Sequence, residues 1–208
     1  LDPSAWEECL FSEQAAFVVV RQDEVLFDHD RDRPHLLSAE DVAGCLDLRA
    51  DALLLGTDAE KTYFAISSKM MASESGPCLE SLGRFEKLRQ FSAVLPPHLA
   101  SLLGYARCAT EWNTRVNYCA FCAAPTRRMM GSWAQVCTNP DCRREYYPRG
   151  DPAVIVLVYH EDSCLLGRQL AWRPKVYSAL SGYVEPGESV EDAVLREILE
   201  ETGIRVTD

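Results

Sequence analysis

Four cysteines constrain this chain more than any other feature. Cys119-x-x-Cys122 is followed, after fourteen residues, by Cys137-x-x-x-x-Cys142. Two closely spaced thiol pairs separated by the length of a strand, a turn and a strand are the spacing of a zinc ribbon. Each tight knuckle sets two thiolates on one edge of a tetrahedron, and the hairpin between them carries the second pair round. Thiolates are soft donors that suit Zn2+, and four of them close its shell with no position left for water. Cys119, Cys122, Cys137 and Cys142 are therefore expected to hold one structural zinc ion per chain. So short a segment has little core of its own, and metal binding would supply much of its folding free energy. The competing readings are two unrelated pairs of buried thiols, or two disulfides.

The chain has nine cysteines, an odd number. Leu1 to Phe11 lacks a basic region followed by an apolar core, so no secretory leader is visible and thiols or a metal are favoured over a disulfide framework. Cys9, Cys45, Cys78, Cys108 and Cys164 show no pairing pattern and are expected to pack as small apolar residues. The start at Leu1 leads one to expect a processed or partial chain. Hydrophobic residues make up 47% of the 208 and charged residues 25%, which excludes a largely disordered chain. The longest apolar stretches, Ala15 to Val20 and Ala153 to Tyr159, fall far short of the ~20 residues of a membrane-spanning helix. A net charge of −11 argues against binding nucleic acid or membrane through bulk charge.

Charge divides the chain. Residues 1–100 carry a net −9, residues 115–150 a net +4 and residues 151–208 a net −6. The division suggests an N-terminal domain over 1–114, a ribbon over 115–150 and a third domain from 151 to 208. Arg127, Arg128, Arg143 and Arg144 give the ribbon its sign, and such residues serve either as a nucleic-acid contact or as a solvated face. The first domain reads as mixed α/β. Ala16 to Val20, Glu24 to Phe27, Ala52 to Leu55 and Tyr63 to Ile66 are expected strands, with a turn at Gly56-Thr57-Asp58. Leu82, Phe85, Leu88 and Phe91 recur at helical spacing and predict a helix from Leu79 to Phe91. A second helix is expected from His98 to about Thr114. His29, His35 and His98 are isolated, and this domain offers no catalytic constellation.

The most informative chemistry lies between Gly182 and Ile204. Ser189, with Asp192 three residues on, fits a helix start, Val190, Ala193, Val194 and Ile198 form an apolar stripe, and Gly203 is a natural stop. Glu197, Glu200 and Glu201 stand at i, i+3 and i+4 and so share one face. Three carboxylates there repel one another unless a cation neutralises them. Oxygen-only donors indicate Mg2+ or Mn2+, which would polarise a phosphoryl group and activate a water for attack on a diphosphate. Glu188 could join this site, and Arg196 is placed to pair with a glutamate and hold it. A glutamate row alone reads better as a solvated acidic face, which is common, but nine specified positions at fixed spacing are poorly explained by chance.

The segment resembles the Nudix box, G-x5-E-x7-R-E-U-x-E-E-x-G-U with U a bulky aliphatic, at Gly182, Glu188, Arg196, Glu197, Ile198, Glu200, Glu201, Gly203 and Ile204. With a zinc ribbon before it, the chain is similar to the NADH pyrophosphatase branch of that superfamily. Glu111-Trp112, the run from Tyr146 to Ile155 and the run from Tyr177 to Tyr183 resemble the same branch. The resemblance implies an α+β chain, with a mixed N-terminal domain, a zinc ribbon and then the opening part of an α/β/α sandwich that continues past Asp208, leaving an apolar face uncovered. It implies that Glu197, Glu200 and Glu201 bind Mg2+ or Mn2+ and act in catalysis, that Tyr183 stacks on a substrate ring, and that Tyr147 reaches the neighbouring subunit's substrate in a homodimer. The implied reaction is hydrolysis of NAD(H) at its diphosphate to NMN(H) and AMP, with removal of NAD caps from RNA as an extension. The rivals are hydrolysis of another dinucleotide such as NADPH or ADP-ribose, and an inactive binding module. The implied setting is intracellular, in the cytoplasm or in a mitochondrion, chloroplast or peroxisome, with no membrane partner.

Overall fold

A computed structural model describes residues 3–30, 32–42, 48–68, 79–129 and 132–207. The chain is a mixed α/β protein that divides into two compact units, Leu1–Pro148 and Arg149–Asp208.

The first unit begins with helix α1 (Pro3–Leu10), strands β1 (Ala15–Arg21) and β2 (Glu24–Phe27), the short helices α2 (Ala39–Val42) and α3 (Leu48–Asp51), and strands β3 (Leu53–Thr57) and β4 (Thr62–Ser67). After α4 (Leu79–Leu82), β5 (Arg84–Lys87) and α5 (Leu88–Phe91) comes the long helix α6 (Pro97–Arg115). The sheet has the order β3-β4-β1-β2-β5, parallel only between β1 and β4. The unbroken run AAFVVV in β1 is explained by burial on both faces, which removes the usual apolar–polar alternation. Phe17 and Val19 join Trp6 and Leu10 of α1, together with Phe64, on one side. Val18 and Val20 meet Leu103, Ala106 and Ala109 of α6 on the other. Phe17 and Phe64 stack with ring centroids 5.1 Å apart, and truncating so large a buried ring costs about 3–5 kcal/mol.

The expected strands are all present, but the expected helix from Leu79 to Phe91 is not. Two single helical turns flank β5, which pairs antiparallel with β2. Gly83 ends the first turn, and its backbone passes so close to the Phe27 carbonyl oxygen that a Cβ there would collide with it. The helical spacing of Leu82, Phe85, Leu88 and Phe91 is met by residues on three elements, with sheet pairing overriding local periodicity. The turn after β3 also falls later than Gly56: Asp58 closes it, its Oδ1 accepting from the backbone of Glu60 at 2.8 Å and of Lys61 at 2.7 Å. Cys9 packs half-buried against the core, whereas Cys108 and Cys164 are exposed rather than packed. Cys108 lies on α6 away from the side that carries Leu103, Ala106 and Ala109. Cys45 and Cys78 lie outside the described residues.

The ribbon consists of β6 (Thr126–Arg128), β7 (Gln135–Cys137) and β8 (Glu145–Tyr146), antiparallel in that order. It belongs to the first unit and is bonded to it. Trp133 Nε1 donates to Leu54 O at 3.0 Å, Trp112 Nε1 to Trp133 O at 2.9 Å, and Gln135 Nε2 to Asn113 Oδ1 at 3.0 Å.

In the second unit β9 (Ala153–Val156) pairs antiparallel with the later strand Leu180–Tyr183, and β10 (Val158–His160) pairs with β11 (Ser163–Leu165). The strand Leu180–Tyr183 is β12, and helix α7 (Val190–Thr202) lies against it and β9. Val154, Ala193 and Ile198 are buried, while Val190 is exposed and so falls outside the buried part of the expected stripe. Ile155, Leu157 and Tyr159 stand exposed. Among the described residues no helix is long and apolar enough to cross a membrane.

Candidate functional site

The four ribbon thiols converge. Cys119 and Cys142 sulfurs are 3.7 Å apart, those of Cys122 and Cys137 3.5 Å, and all four lie within 4.8 Å of one another. Sulfurs about 2.3 Å from a tetrahedral zinc ion stand roughly 3.8 Å apart, so the cage is compatible with that ion. A disulfide needs about 2.05 Å, and these distances exclude the two-disulfide reading.

Two similar turns build the cage. In the first, Ala123 N donates to Cys119 O at 2.9 Å; in the second, Arg143 N donates to Asn139 O at 3.0 Å. Ala123 (φ 60°) and Arg143 (φ 50°), each following the second cysteine of its pair, take the left-handed conformation that swings the chain back.

Tyr146 adds a contact to which the sequence assigned no role. Its hydroxyl accepts from Ala120 N at 3.0 Å and lies 2.9 Å from Cys119 Sγ. Toward a thiolate, the form that binds a metal, only the hydroxyl can donate. That bond pulls Cys119 down to about 6, while burial pushes Cys137 up to about 12. The only signal in the sequence was the position of Tyr146, four residues past the last ligand.

The glutamate helix starts and stops as its sequence indicates. Ser189 Oγ accepts from Asp192 N at 3.0 Å and donates to Asp192 Oδ2 at 2.7 Å, and Gly203 (φ 73°) ends α7. Arg196 is the hub of the segment. Its Nε and Nη2 hold the two Glu188 oxygens at 2.8 and 2.9 Å, and Nη2 also donates to Tyr183 O at 2.9 Å. Its Nη1 reaches Glu197 at 3.0 Å and Glu200 at 3.2 Å. A side-chain cation therefore already offsets part of the carboxylate repulsion. The Arg196 hydrogen bonds and one from Glu185 N pull Glu188 down to about 2. The Glu197 carboxyl group fills the space that a Cβ on Gly182 would need.

Glu197 is mostly covered, and Glu200 and Glu201 are exposed. The three carboxylates share a face without closing on one point; among the described residues the four thiols are the only such converged group. Exposed oxygen donors on one face suit a hard divalent cation that keeps waters or phosphate oxygens in its shell. Tyr183 is 68% exposed on β12. Tyr147 belongs to the other unit, is 64% exposed, and donates its hydroxyl proton to Glu145 at 2.5 Å.

Residues 150–208 match the family model of the NUDIX domain. Residues 14–112 match the NADH pyrophosphatase-like rudimentary NUDIX domain, so the five-stranded unit and the glutamate helix both have counterparts in one superfamily. The chain is 44% identical over 123 residues to NAD-capped RNA hydrolase NudC of Stutzerimonas stutzeri strain A1501, covering 59% of this chain and 44% of that protein. It is 35% identical over 149 residues to NAD-capped RNA hydrolase NudC of Pseudomonas syringae pv. syringae strain B728a, covering 72% and 50%. It is 42% identical over 110 residues to Nudix hydrolase 19, chloroplastic, of Arabidopsis thaliana, covering 52% and 25%. The matches thus span a quarter to a half of these relatives' lengths.

Proposed function

We propose that this chain is part of a metal-dependent NUDIX hydrolase that splits the diphosphate of NAD(H) into NMN(H) and AMP and cleaves the same bond in NAD-capped RNA, releasing NMN and leaving a 5′-monophosphate on the RNA. The observation that carries the reading is the Arg196 hub, which locks Glu188 and Glu197, reaches the exposed Glu200, and leaves Glu201 exposed beside it on α7. The names of the two bacterial relatives support the substrate.

Glu197, Glu200 and Glu201 would hold Mg2+ or Mn2+, which when bound neutralises diphosphate charge and lowers the pKa of a water. Arg196 fixes the side-chain positions of Glu188 and Glu197, so little reorganisation is left for the moment of reaction. Tyr183 offers a flat apolar face on which a nicotinamide or adenine ring can stack. In a homodimer, Tyr147 would extend to the substrate of the opposite protomer. Cys119, Cys122, Cys137 and Cys142 would hold zinc in a structural role. The setting is intracellular, and the chloroplastic name of the plant relative favours an organelle for some members.

The test is chromatographic detection of AMP and NMNH after incubating the zinc-loaded chain with NADH. Release that depends on Mg2+ or Mn2+ is expected. A folded, zinc-loaded chain that releases neither AMP nor NMNH from NADH, and no NMN from NAD-capped RNA, at any metal concentration overturns the proposal.

A further inference from the structure

The ribbon carries six arginines against two acids between residues 115 and 150, in a chain of net charge −11. Three of the six are already engaged. Arg115 pairs with Glu111 at 2.6 Å, Arg149 pairs with Asp151 at 3.0 Å, and Arg128 is turned inward toward Asp51 O. Arg127, Arg143 and Arg144 are exposed, and among the described residues none has an acidic partner within salt-bridge distance.

Arg144 does something more specific than face solvent. Its guanidinium lies 4.0 Å from the centroid of the Phe121 ring, and Phe121 is itself 71% exposed. One face of the ring is covered by the cation and the other is open. The pair borders an open cleft of about 380 Å³ lined by Ala120, Phe121, Arg144, Glu145 and Tyr146. The acid in this cleft, Glu145, is engaged by the Tyr147 hydroxyl. Tyr118, 69% exposed, belongs to the same knuckle. Exposed aromatic rings beside unpaired arginines are what a single nucleic-acid strand requires, with stacking for its bases and positive charge for its phosphates.

We propose that this knuckle is a docking surface for the body of a single-stranded RNA, which enters stacked on Phe121 with its phosphates on Arg143, Arg144 and Arg127. The surface lies outside the glutamate helix. It rests on the reading above only in that capped RNA supplies the strand. A small dinucleotide has no need of it, so the surface would raise affinity for capped RNA without altering hydrolysis of NAD(H).

The test is fluorescence anisotropy of the zinc-loaded chain with a labelled, uncapped oligoribonucleotide across a range of KCl. Three phosphate contacts predict that log K falls with log salt at a slope of about −2. Arg144→Glu should weaken binding and make that slope shallower. Phe121→Ala should weaken binding about ten-fold with the slope unchanged, because stacking releases no counterions. Zinc content and the circular dichroism spectrum of each variant establish that it is folded. Absence of RNA binding by the zinc-loaded chain, or binding untouched by both variants, overturns the proposal. The measurement needs no turnover: RNA binding that responds to the variants in a chain inert toward NADH supports this surface and counts against the hydrolase reading alone.

Discussion

Arg196 grips Glu188 through two parallel hydrogen bonds, Nε to Oε1 at 2.8 Å and Nη2 to Oε2 at 2.9 Å. The paired geometry ties the loop before α7 to the middle of the helix. It also makes the loop acid-sensitive in a defined direction. Glu188 is held at about 2 against an ordinary value of 4.5. A carboxyl lowered in the folded state stabilises the fold above its unfolded value and loses that contribution as pH falls toward the folded one. Stability to urea should therefore decline between about pH 4.5 and about pH 2 through this pair. Glu188→Gln should be less stable than the parent near neutrality and show a shallower decline over that window. Equal slopes for the two proteins would remove Glu188 as the source. Arg196→Lys should not rescue the fork, because an ammonium cannot donate two parallel bonds to one carboxylate.

Gly182 and Glu197 form a second pair that works by space rather than charge. The carboxyl group of Glu197 occupies the position of a Cβ on Gly182. In Gly182→Ala the methyl group must displace Glu197, whose other contact is Arg196. A shift of an ångström in a positioned group costs on the order of 10²-fold in rate. NADH turnover by Gly182→Ala should fall by about that factor, with the far-ultraviolet circular dichroism unchanged. Full activity would mean that the resting place of Glu197 is irrelevant to catalysis.

Much of this is legible in the amino-acid sequence. The apolar runs of β1 and β4 declare strands because a run buried on both faces has no other use for so many β-branched and aromatic residues. The cysteine spacing points to the cage, and the convergence of the four sulfurs within 4.8 Å is what decides against two separate pairs. Residues 79–91 were illegible for the opposite reason. Their spacing is compatible with a helix, and it is the pairing of β5 with β2, together with the close approach of Gly83 to the Phe27 carbonyl, that decides otherwise. Tyr146 and Tyr147 look alike in the sequence. Only the geometry of β8 turns the first toward Cys119 and leaves the second exposed. The reach of Arg196 to three glutamates at once likewise depends on how the loop folds back over the helix.

Glu201 is exposed at the end of the carboxylate row. Replacing it with Gln preserves shape and removes the charge. Glu201→Gln should abolish turnover of NADH while leaving dinucleotide binding, measured by calorimetry, largely intact. Its affinity for Mg2+, measured by the same calorimetry, should also fall, since one oxygen donor becomes a weak neutral ligand. Joint loss of binding and folding would instead make Glu201 a structural residue.

Tyr146 tests whether the cage is tuned by its neighbours. A hydroxyl that donates to a ligating sulfur orients the thiolate and stabilises its charge, and losing such a partner typically costs about 10–100-fold in metal affinity. Tyr146→Phe removes the donor to Cys119 and leaves Ala120 N without its acceptor. Competition against a chromogenic chelator should show zinc held roughly 10-fold or more weakly than by the parent. The gap should widen as pH falls, because protons compete for Cys119 once the bond that holds it at about 6 is gone. Stripping zinc altogether should unfold the three ribbon strands and expose Trp133, whose indole donates to Leu54 O. A fluorescence change on chelation that reverses when zinc is restored would report that unfolding. Identical zinc affinities for parent and Tyr146→Phe would make the Tyr146 contact incidental to the metal.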